Sequence, residues 1–131
     1  MNALWIFLGG GFGSLARWWC SGIVGRCFGE TFPLGTLVVN VTGSLAIGFF
    51  ATMTDPGGRW LVSPSFRTFF MFGICGGYTT FSSFSLQTLN LARDGEWLRA
   101  GLNVVLSVVL CLGAVWLGHL LATAVSSSKG S

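Results

Sequence analysis

"GICGGYTTFSSFSLQ", Gly73–Gln87, decides how this chain folds. Two adjacent glycines, Gly76 and Gly77, lead into a run of phenyl and hydroxyl side chains, while the sequence on either side is apolar. A glycine pair inside a membrane-crossing segment favours an unwound helix, and unwound backbone is tolerated at that depth only where protein or a water-filled cavity covers it. After the expected break, Phe81 and Phe84 stand three residues apart and share a helix face, with Thr79, Thr80, Ser82, Ser83 and Ser85 around them. A phenyl ring is positive at its edge, so two rings facing a cavity can hold an anion without a fixed positive charge. Taken alone, a phenylalanine pair at this spacing is better explained by lipid contact or core packing.

The rest of the composition supports a membrane setting. The chain has 131 residues, 52% of them hydrophobic and 8% charged, with a mean hydropathy of +0.73. Soluble domains carry about 25% charged residues, so this is the composition of an integral membrane protein. A bilayer core of about 30 Å needs roughly 20 mostly apolar residues in a helix. Four segments meet that length: Ala3–Val24, Pro33–Met53, Phe66–Leu91 and Leu98–Thr123. Polar joints at 25–32, 54–65 and 92–97 separate them, the second carrying the turn signal Pro56-Gly57-Gly58. The expectation is an all-α membrane protein, a single four-helix transmembrane domain over residues 1–124 with a break in the third helix. Residues 125–131, rich in serine and glycine, are expected to be a disordered tail. Met1–Gly13 holds no lysine or arginine, so the first segment does not read as a cleaved signal peptide.

Four spans put both termini on one side. That side carries Arg59, Arg67 and Lys129, three basic residues, against four on the other, Arg17, Arg26, Arg93 and Arg99. The N-terminal amine cancels the difference, so the positive-inside rule selects no orientation. Such balance points to insertion both ways and to an antiparallel, dual-topology homodimer. Gly9-x-x-x-Gly13 and Gly73-x-x-x-Gly77 are small-residue motifs that let helices approach closely.

Polar residues run in stripes along two of the apolar segments. Thr36, Asn40, Ser44 and Gly48 recur every fourth residue in the second, and Asn103, Ser107 and Cys111 do so in the fourth. Interhelical hydrogen bonding, worth under about 2 kcal/mol per contact, is the plain alternative to a functional stripe. For Thr36 and Ser44 both readings stand; the amide of Asn40, at mid-span, favours function.

What is missing narrows the function. Glu30, Asp55, Asp94 and Glu96 all fall in joints, which leaves no carboxylate at mid-membrane depth to couple protons or cations. There is no Ser/His/Asp set and no phosphate-binding loop, so the chain does not read as an enzyme. Cys20, Cys27, Cys75 and Cys111 form no C-x-x-C pair and read as packing residues. The seven basic residues are scattered, which argues against a nucleic-acid partner.

Three stretches, "GGGFGSLARW", "PLGTLVVNVTGS" and "GGYTTFSSFS", resemble the CrcB/Fluc family of fluoride channels, and the likeness covers essentially all four spans. The resemblance implies a fluoride channel of the bacterial inner membrane, a dual-topology homodimer with two antiparallel pores that pass the ion down its gradient. Phe81 and Phe84 then correspond to pore-lining rings and Asn40 to an asparagine that orders the pore. Thr80, Ser83 and Ser107 fall in a hydroxyl track. Gly76 and Thr79 would offer backbone carbonyls from each subunit to a central structural sodium ion. Arg17 matches an arginine near the aqueous vestibule, where it either attracts the anion or anchors the dimer. Gln87, Asn103 and Cys111 depart from the family pattern, which has Glu, Tyr and Ser at those places. A small dual-topology multidrug exporter and a membrane helper subunit without transport are the competing readings; the first lacks the intramembrane carboxylate it needs.

Overall fold

The computed structural model describes residues 2–29 and 31–130, with side chains as far as Ser126. All regular structure among the described residues is helical. The elements are α1 (Asn2–Phe28), α2 (Leu34–Met53), α3 (Pro64–Thr68), a π-helical segment (Phe69–Cys75), α4 (Gly76–Tyr78), α5 (Phe81–Arg93) and α6 (Trp97–Gly130). From α3 to α5 the chain forms one interrupted rod, so four rods make up the molecule. By length and composition α2 and α6 are each sufficient to cross a bilayer.

The rods start and stop for local reasons. Helix α1 runs past the expected end at Val24 and closes at Gly29, whose φ of +80° suits a residue without a side chain. Thr54 ends α2, and the guanidinium of Arg67 covers that end. It donates to Thr54 Oγ1 at 2.9 Å and to the Ala51 carbonyl at 3.3 Å, and it pairs with Asp55 at 3.0 Å. Ser63 caps α3 by accepting from the Phe66 N–H at 3.1 Å, with Pro64 in the first turn, where its missing N–H costs nothing. Helix α6 continues to Gly130, over residues expected to be disordered. Its serines follow Ala122, Ala124 and Val125 without a proline or glycine to stop propagation. Ser131 lies outside the described residues.

Two glycine seams set the packing. Along the first, α1 and the third rod run parallel: a Cβ on Gly9 would lie 2.8 Å from the Gly73 Cα, and one on Gly77 would lie 2.6 Å from the Gly10 carbonyl. The second joins α2 to α6, also parallel, with Gly48 against the Val115 backbone and Gly118 against the Leu45 carbonyl. The first seam absorbs both glycine motifs expected to bring helices together, and the second makes Gly48 of the polar stripe packing material.

The break in the third rod is real but sits later than expected. Gly76 and Gly77 are helical, and the chain becomes extended at Thr79 (φ −81°, ψ 156°) and Thr80 (φ −150°, ψ 112°). The local cause is the Thr80 hydroxyl, which takes a backbone donor from the helix ladder. Thr79 Oγ1 donates to the Cys75 carbonyl at 2.9 Å, and Thr80 Oγ1 accepts from the Ser83 N–H at 3.2 Å, opening α5 as its N-cap.

Candidate functional site

Asn40, on α2, closes the break. Its Oδ1 accepts from the Thr80 N–H at 2.7 Å, and its Nδ2 donates to the Thr80 carbonyl at 3.1 Å. One side chain thereby satisfies both main-chain groups of the residue at the break, which buried unpaired would each cost about 1–3 kcal/mol. An amide nitrogen carries two hydrogens, so the clasp leaves a second N–H on Asn40 for the cavity that this residue lines.

The same bonds release two carbonyls. In an unbroken helix the Thr80 N–H would bond the Gly76 carbonyl and the Ser83 N–H that of Thr79. Here the first donor goes to Asn40 and the second to the Thr80 side chain. Gly76 and Thr79 therefore lose their helical donors on neighbouring turns, and both line the same cavity.

Two cavities meet at the break. The smaller, about 410 Å³, is lined by Asn40, Ser44, Gly76, Thr79, Thr80, Phe81, Phe84, Ser107 and Cys111, together with apolar residues. The Phe81 and Phe84 rings lie 5.3 Å apart, tilted 50° to each other. Phe81 is 78% exposed within a single chain, an unusual state for a ring placed beside polar groups at mid-rod. The larger cavity, about 840 Å³, is lined by Arg17, Thr36, Thr80, Ser83, Gln87, Asn90 and other residues of α1, α2 and the joints. Thr80 borders both.

The residues anticipated from sequence thus divide. Asn40, Gly76, Thr79, Phe81, Phe84 and Ser107 come together in the smaller cavity with Thr80, while Arg17 and Ser83 join Thr80 from the larger one. The acids Asp94 and Glu96 line only the larger cavity, so among the described residues the smaller offers amide, hydroxyl and phenyl groups without a carboxylate. Such a lining can hold a small anion by hydrogen bonds and quadrupole alone.

Comparison with known proteins bears on this arrangement. The family model described as CrcB-like protein, Camphor Resistance (CrcB), matches residues 4–119. A protein of Opitutus terrae named fluoride-specific ion channel FluC is 64% identical over 128 residues, covering 98% of this chain and 97% of its own length. A protein of the same name from Methylocella silvestris is 55% identical over 131 residues, the full length of both. Another, from Rhodospirillum rubrum, is 57% identical over 119 residues, 91% of this chain and 92% of its own. The chain belongs to the CrcB family.

Gln87, Asn103 and Cys111, the three residues expected to depart from the family pattern, occupy different surroundings. Gln87 lines the larger cavity with its Oε1 buried and, among the described residues, without a hydrogen-bond partner. Cys111 lines the smaller cavity. Asn103 lines neither; it is buried and donates to Thr88 Oγ1 at 2.9 Å. Sequence reasoning passed over Thr88, and also Tyr78, whose hydroxyl bonds Thr42 Oγ1 at 2.9 Å and ties α4 to α2. Thr88 follows Thr80 and Phe84 at intervals of four, a signal that was there to be read.

Proposed function

We propose that this CrcB-family chain is a fluoride-selective channel of the bacterial inner membrane, passing the ion down its electrochemical gradient. The observation that carries the reading is the helix break clasped by Asn40, where Phe81, Phe84 and hydroxyl groups share one cavity with no carboxylate among the described residues of its lining. The names of the full-length relatives support the ion's identity.

Fluoride is small and tightly hydrated, so its water must be replaced by close donors. Arg17 draws the anion into the larger cavity, and Thr80 and Ser83 receive it at the break. The free N–H of Asn40, the edges of Phe81 and Phe84 and the hydroxyl of Ser107 then carry it through the smaller cavity. A neutral lining holds the ion weakly enough to let it leave.

The working unit is an antiparallel dual-topology homodimer. Supporting it are the near-balance of basic residues and the exposure of Phe81 and Gly76 beside polar groups, a surface that lipid does not satisfy. The carbonyls of Gly76 and Thr79 fit a structural sodium ion, since hard cations take oxygen ligands and these two have lost their helical donors. Bound there, sodium would supply a fixed positive charge between the two copies.

Purified protein in fluoride-loaded liposomes should release the ion rapidly once valinomycin and potassium balance charge, as read by a fluoride electrode; efflux no faster than from empty vesicles rejects the channel. For topology, three lysines added to the joint at 54–65 should bias insertion and lower flux, and an oppositely biased partner should restore it. Normal transport by the biased variant alone rejects the antiparallel dimer.

A further inference from the structure

Asn103 is an odd residue for its place. Only 2% exposed, it lines neither cavity, and at its place in α6 an apolar side chain would fill the volume without desolvating an amide. Its Nδ2 donates to Thr88 Oγ1 at 2.9 Å, and the Thr88 hydroxyl donates onward to the Phe84 carbonyl at 2.8 Å. The relay has a direction: a hydroxyl oxygen already accepting from an amide turns its single proton elsewhere, here to the backbone of the turn that carries Phe84.

Phe84 and Thr88 share a face of α5, four residues apart, and Thr80 caps the start of that helix. Phe84 therefore stands between two asparagine contacts from neighbouring rods, Asn40 on Thr80 one turn before it and Asn103 on Thr88 one turn after. Helix α5 finds most of its packing within the chain on α6, the rod that carries Asn103. The first contact fixes where α5 begins; a single point leaves the helix free to turn about its own axis. A second point two turns along removes that freedom.

We propose that Asn103 is a positioning residue for Phe84, acting through Thr88 to set the rotation of α5 and hence the direction of the Phe84 ring. The inference rests on the reading of Phe84 as part of an ion path, and its test separates the two. 4-Fluorophenylalanine placed at position 84 reports the ring's surroundings by ¹⁹F NMR, independently of transport; fluoride efflux is measured on unlabelled protein.

Thr88→Val keeps the shape and removes the relay, so it should shift or broaden the ¹⁹F line and slow efflux about tenfold, the scale set by one lost buried hydrogen bond. Asn103→Leu should do the same. Thr88→Ser retains the hydroxyl and should restore both signals towards wild type. Thr123→Val, which removes a comparable bond to the His119 carbonyl elsewhere on α6, should change neither. An unmoved line in folded Thr88→Val overturns the positioning role, as does a moved line accompanied by wild-type efflux. If the line moves but wild-type protein releases no fluoride, the positioning stands and the fluoride reading falls. Should Asn103→Leu fail to fold, Thr88→Val and its serine counterpart still decide the matter.

Discussion

The two halves of the third rod are held by opposite means. Its first half, residues 64–78, lies against α1 along glycines, backbone on backbone, with no room for a methyl group at Gly9 or Gly77. Its second half, α5, is attached by side-chain amides, Asn40 at its start and Asn103 farther along. Packing of the first kind is strong and unforgiving, because backbone cannot move aside as a side chain can. Hydrogen bonds of the second kind are few and directional, so they set an angle and a position instead of filling a volume. The rigid half carries one of the two freed carbonyls, that of Gly76, Thr79 with the other lies in the break itself, and the pinned half carries the rings.

This contrast is most sharply tested where the packing is tightest. Gly77→Val would drive a branched side chain into the Gly10 carbonyl, which a Cβ alone already approaches to 2.6 Å. The cost should be about 3 kcal/mol or more, seen as a collapse in the yield of monodisperse protein on size exclusion. Recovery at normal yield would mean the seam is looser than the contrast requires.

Phe84→Ile, in the pinned half, should leave yield and elution intact while fluoride efflux falls nearly to background. The isoleucine keeps apolar bulk and loses the positive edge. Efflux like wild type would make Phe84 a packing residue and move the anion's route elsewhere.

Asn40→Leu should fall between these two. It strips both partners from the Thr80 main chain, a loss of about 2 kcal/mol or more, expected as a lowered melting temperature in detergent together with slowed efflux. A loss of efflux with unchanged melting would assign Asn40 to the anion alone and remove it from the clasp.

Arg67→Gln, in the opening turn of the first half and ahead of its glycine seam, should matter least. Its ion pair with Asp55 is partly exposed, and pairs of that kind contribute under about 1 kcal/mol. A large drop in thermal stability would show that the end of α2 is a further anchoring point.

Much of this architecture was open to sequence reasoning, for identifiable reasons. The glycine motifs reported close approach correctly, because a missing side chain at four-residue spacing has few other uses in an apolar helix. The break was legible in its existence and misplaced in its cause. Gly76 and Gly77 permit unwinding, but nothing obliges them to unwind, whereas Thr80 takes the Ser83 N–H away from the helix. The hydroxyl track was legible as a set and not as two groups. Periodicity states that Thr80 and Ser107 lie on polar faces; it cannot state which neighbouring rod covers each face, and that is what sends Ser83 to one cavity and Ser107 to the other. Asn103 is the clearest case. Its stripe with Ser107 and Cys111 is visible in the sequence, yet its partner Thr88 depends on how α5 and α6 pack.

Thr80, the one site residue that borders both cavities, also governs how the rest can be interpreted. On the channel reading, the two spaces act as resistances in series, with Thr80 the residue they share. A wide antechamber of about 840 Å³ contributes little to such a sum. Changes to its walls are therefore damped in the total current, while a change at the junction is transmitted in full.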